Sequence, residues 1–125
     1  MSVEFYRMLH IFGLFLLFTS LGAAAIHAMN GGTKESNQAR KWVSITHGVA
    51  LFLVLLAGFG LLAKSPQYEM SPSGWPGFIY FKIGLWFAFG GVLVLFYRKP
   101  EWAKALWLVL PLLGAVAAAL VFRLI

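Results

Sequence analysis

The chain of 125 residues contains no cysteine and no aspartate. Without thiols there are no disulfides, no Cys-ligated clusters and no thiolate nucleophile. Only four carboxylate side chains exist, Glu4, Glu35, Glu69 and Glu101, and each lies near an interface rather than within a span. Carboxylate acid–base pairs inside a membrane are therefore not expected. No spacing matches a zinc or di-iron set either. Charge of any sign is scarce, at 11% of residues, while 61% are hydrophobic. With a mean hydropathy of +0.83, the composition is one that soluble domains of this length rarely reach. Lipid is the expected solvent. The net charge of +6 is spread over loops, which reads as a topology signal and gives no reason to expect a nucleic-acid partner.

Four apolar stretches are present, at about 4–29, 43–63, 76–97 and 103–124. Each reaches the roughly 20 residues a helix needs to cross a bilayer core. The pattern predicts an all-α fold: one domain over 1–125, an integral membrane four-helix bundle. The first stretch does not read as a signal peptide. Glu4 and Arg7 cancel where a basic n-region would stand, and the apolar run is too long. Asn30-Gly31-Gly32 stops the first helix, and the proline-rich second loop carries Trp75 as an interfacial anchor. Pro100 stops the third helix, and Pro111 is expected to bend the fourth. Loops one and three hold Lys34, Arg40, Lys41, Arg98, Lys99 and Lys104. The termini and loop two hold Arg7, Lys64 and Arg123. The positive-inside rule then puts loops one and three in the cytoplasm and both termini on the periplasmic side, in antiparallel up-down order. The location expected is the bacterial inner membrane, crossed several times.

Few polar side chains remain inside the spans: His10, Thr19, Ser20, Ser44, Thr46, His47 and Lys82, with His27 at a helix end. Ionisable residues in a membrane are costly, so each is a candidate for function. His10 stands about six residues, roughly 9 Å, into the first span. Lys82 is similarly placed in the third, which enters from the same side. His27 and His47 share a depth near the opposite face. The spacing thus predicts two polar layers. His10, Gly13, Leu17, Ser20, Ala24 and His27 recur at steps of three and four, the seam of a bundle-facing helix. Gly13 and Ala24 are expected to leave room beside each imidazole for something flat.

Neutral imidazole is a good axial ligand for haem iron. An outer site would use His10 as metal ligand, with Lys82, the candidate catalytic residue, pairing with a propionate or approaching the sixth coordination position. An inner site would use His27 and His47. The plainer alternatives stay open. Lys82 can snorkel toward the interface, His27 and His47 can be interfacial groups bonded to loop carbonyls, and His10 can be a satisfied interior histidine.

FYRMLHIFG, which contains His10, resembles the first-helix start of HemJ-type protoporphyrinogen oxidases. SGWPGFIYFKIGLWF, which contains Lys82, resembles their third helix, and AIHAMN is similar to the close of their first. CopD-like and SirB-like proteins share the four-helix plan. The family's third helix tends to end Tyr-His, whereas Tyr97 here is followed by Arg98. The resemblance implies haem b on His10 and an essential lysine at Lys82.

The expected function is therefore a small haem-b-associated redox protein, its chemistry being porphyrinogen oxidation or electron transfer to quinone. Whether it is an enzyme stays open. The main alternative is a non-catalytic subunit of a larger membrane complex, such as a respiratory complex, or a homodimer packed through Gly58–Gly60 or Gly90–Gly91. A proton or metal-ion channel is a third class, disfavoured because so few polar side chains could line a path.

Overall fold

The computed structural model describes residues 2–64 and 77–121, apart from the side chains of Phe78 and Val121. The second loop, including Trp75 and Pro76, and Arg123 lie outside the described residues. Four α-helices follow in order: α1 Val3–Met29, α2 Arg40–Lys64, α3 Gly77–Arg98 and α4 Ala103–Val121. A single 3₁₀ turn, Pro100–Trp102, joins α3 to α4.

Each helix is long and apolar enough to cross a membrane, which makes the chain a multi-pass membrane protein. Helices are what lipid demands, since each backbone amide must be satisfied within its own segment. α2 begins at Arg40, ahead of the expected position 43. Arg40, Lys41 and Trp42 are all exposed, so this first turn needs no apolar surroundings and simply extends the helix toward the interface. α4 runs through Pro111, which removes one amide donor from its ladder.

Local chemistry sets the ends of α1. The Ser2 hydroxyl accepts a hydrogen bond from the Phe5 amide at 3.2 Å, a standard N-terminal cap. At the other end Gly31 has φ +78°, a left-handed conformation that costs a side-chain-bearing residue about 1–2 kcal/mol. The amides of Gly31 and Gly32 close the helix by donating to the carbonyls of Ala28 and His27.

α1 is the central helix. It touches α2, α3 and α4, and the α1–α2 interface is the most extensive, while α2 and α4 do not meet among the described residues. The seam read from the sequence is its packing face: Gly13, Leu17, Ser20 and Ala24 are all buried. Small residues let the backbones approach where lipid supplies no hydrophobic drive. The core continues through Leu85, Phe89, Val92 and Phe96 of α3 and Leu110 of α4. Phe18 meets Phe89 edge to face at 5.5 Å and stands over Gly114 of α4. Phe15, Phe52, Phe87, Leu108 and Leu112 are each more than 60% exposed and form a surface suited to acyl chains.

Candidate functional site

His10 lies on α1 two turns from its start, half-buried against α2. Its Nδ1 is 3.0 Å from the Val54 carbonyl oxygen. A carbonyl can only accept, so Nδ1 carries the hydrogen and Nε2 of a neutral ring keeps its lone pair. Access to that carbonyl depends on Gly58, one turn further along α2. Helix side chains lean toward the N-terminus, so a side chain at 58 would lie over residue 54. A Cβ there would stand 3.4 Å from His10 Cε1 and 3.6 Å from Nδ1. Gly58 therefore opens the face on which the imidazole rests.

His10 and Lys82 line the same cleft between α1, α2 and α3, together with Gly58, Leu62, Ile83 and Trp86. Apart from the imidazole, the ammonium and the indole, its walls are apolar. Lys82 and His10 thus face one apolar cleft from different helices. The cleft has a cavity volume of about 90 Å³, or about 490 Å³ of empty space when the solvent on its open side is counted.

Gly13 does not leave room for a flat ligand. A Cβ at that position would be 2.9 Å from Val54 Cγ2 and 3.2 Å from Leu53 Cβ, so α2 already fills the place. The space beside His10 comes from Gly58 instead.

The other two histidines are placed differently. His47, 5% exposed, donates from Nε2 to the Phe89 carbonyl at 2.9 Å. One turn along, the Trp86 indole N–H donates to the Leu51 carbonyl at 2.9 Å. These two bonds tie α2 and α3 in both directions. His27 donates from Nε2 to the Thr33 carbonyl at 2.7 Å and clasps the loop after α1, with Gly32 packed under its ring. His27 and His47 are thus engaged by separate carbonyls, one in the loop and one on α3. Among the described residues there is no cluster of three or more His, Cys, Asp or Glu able to hold a metal ion.

No family model, curated protein or solved structure matches the chain. The site must therefore be judged on its own geometry.

Haem b can be tested against that geometry. The donor set suits it: an imidazole whose second nitrogen is fixed by a carbonyl is the usual state of a metal-ligating histidine, and an ammonium in the same cleft suits a carboxylate side group. The room is small: ligand pockets measure about 300–1,000 Å³ against about 90 Å³ here, so a porphyrin would have to extend into the open side of the groove. Sequence reasoning missed Val54 and Gly58 as parts of this site. A backbone carbonyl leaves no mark in residue type, and Gly58 was one small residue among many.

Proposed function

We propose that this chain is a small haem-b-associated redox protein of a bacterial cytoplasmic membrane, distantly related to the HemJ-type, CopD-like and SirB-like proteins. The observation that carries the reading is the cleft that His10 and Lys82 share from different helices. His10 would be the axial ligand and Lys82 the partner of a carboxylate on the macrocycle. When bound, the haem supplies one-electron chemistry. The chain's own residues do the rest. The Val54 carbonyl holds the imidazole at Nδ1–H, Gly58 keeps the approach clear, and apolar walls surround the ammonium. Porphyrinogen oxidation and electron transfer to quinone both suit such a site.

The up-down antiparallel order belongs to the same proposal. It is supported by the pairing of Tyr6 with Gly60, of Gly13 with Val54 and of Asn37 with Tyr97. The lysine and arginine bias supports cytoplasmic loops one and three, with the termini on the periplasmic side.

A second reading, a subunit of a larger membrane complex with no chemistry of its own, is favoured by one observation. All three imidazoles have backbone carbonyl partners, and no buried side-chain nitrogen or oxygen among the described residues lacks one. Histidines that are all structurally accounted for need no cofactor.

Haem content separates the two. Detergent-extracted protein is assayed for haem as its pyridine complex, in the parent, His10→Ala and Lys82→Met. The redox reading predicts close to one haem per chain in the parent, none in His10→Ala, and weakened retention in Lys82→Met. A folded, colourless parent expressed with ample haem removes it.

A further inference from the structure

The other end of the bundle carries a feature that the cleft does not use. The Asn37 side-chain amide donates to the Tyr97 hydroxyl at 3.0 Å across 60 residues of sequence. The Asn37 side-chain oxygen Oδ1 meanwhile accepts from the Ala39 amide at 3.0 Å, fixing the turn that leads into α2. One side chain thus pins the loop after α1 to the end of α3. Inside that loop Ser36 and Thr33 bond each other, and His27 clasps Thr33, so the loop is ordered by its own polar groups.

The pin lies between two sets of cations at one end of the molecule. Lys34, Arg40 and Lys41 belong to the first loop and the start of α2. Arg98, Lys99 and Lys104 flank the 3₁₀ turn. All six are exposed, and among the described residues the carboxylates beside them are Glu35 and Glu101. Trp42, 75% exposed, and Trp102, 50% exposed, stand at the same end. Exposed tryptophans mark the headgroup level of a bilayer.

We propose that this end of the bundle is a binding surface for anionic phospholipid headgroups, built from both loops and held together by Asn37 and Tyr97. Cations at headgroup depth meet a phosphodiester with its lipid already anchored beside the apolar helices, so charge and acyl chain are satisfied together. A soluble acidic partner would not need the tryptophan collar at this level.

The test uses the full chain in a neutral detergent, titrated with phosphatidylglycerol or with phosphatidylcholine, with bound lipid counted by native mass spectrometry. Phosphatidylglycerol should bind in preference. Each cation removed should weaken it about fivefold, so Lys34→Gln/Arg40→Gln/Lys41→Gln and Arg98→Gln/Lys99→Gln/Lys104→Gln should each lose about a hundredfold. Asn37→Ala changes no charge and should still weaken binding several-fold, because it unties the two loops. Lys34→Arg/Lys41→Arg should bind like the parent. Equal binding of the two lipids overturns the proposal, as does parental affinity in either triple variant. Unchanged affinity in Asn37→Ala overturns the joint site, and full competition by inorganic phosphate reassigns the surface to a soluble anion.

Discussion

Replacing Gly13 by alanine tests the α1–α2 contact on which His10 depends. The added methyl carbon would lie 2.9 Å from Val54 Cγ2, 3.1 Å from the Val54 amide nitrogen and 3.2 Å from Leu53 Cβ. Rotating Val54 does not relieve the clash, because its own backbone nitrogen is part of it and a β-branched side chain is stiff. The helices must therefore part by a few tenths of an ångström. Overpacking of this kind costs about 1–3 kcal/mol. Gly91 supplies the control, since a Cβ there meets nothing within 4 Å. Alanine at an open helical position gains up to about 1 kcal/mol over glycine. Unfolding in mixed micelles, followed by tryptophan fluorescence, should show Gly13→Ala destabilised and Gly91→Ala neutral or stabilised. The parting also pulls Val54 away from His10, so the Nδ1–H resonance of His10 should shift toward that of a weaker hydrogen bond. Equal stability of the two variants would refute the close approach and with it the placement of the imidazole.

The remaining predictions concern single groups. Gly58→Leu should displace the His10 ring and abolish haem retention, while Gly58→Ala, whose methyl would reach ordinary contact distance, should retain it; haem content reads both. Trp86→Phe removes the indole bond to Leu51, worth about 0.6 kcal/mol and at most about 1.7 for a membrane interhelix hydrogen bond, together with part of the ring's packing, so it should be mildly destabilising. His47→Ala should cost more, because the Phe89 carbonyl loses its donor and a void opens in the core; the same micelle unfolding measures it. Gly31→Ala should cost about 1–2 kcal/mol from its left-handed φ, without altering the cleft.

Much of the fold is written in the hydrophobic pattern. Four membrane-length stretches gave four helices, and the three–four spacing through Gly13, Leu17, Ser20 and Ala24 marked the buried face of α1 because period reports directly on which side is packed. Depth along the spans put His10 and Lys82 at one level, and the cleft contains both. What stayed hidden were partners without side chains. His10 rests on Val54 and His47 on Phe89, in each case through a carbonyl, and no residue type announces an available carbonyl. The same limit explains Gly13. Sequence shows that a residue is small, but whether the space is left open or taken by a neighbouring backbone is decided by the crossing of two helices. The pin between Asn37 and Tyr97 was invisible because it joins two segments that share no pattern.

His10 and Lys82, from separate helices, open into one cleft. The cysteine-free background allows this to be measured directly by placing a thiol pair at chosen positions and treating membranes with a short bismaleimide. The double variant His10→Cys/Lys82→Cys should cross-link efficiently. His10→Cys/Phe87→Cys should not, because Phe87 is 67% exposed on another face of α3. Comparable yields from both pairs, or none from the first, would contradict the shared cleft and the haem site built on it.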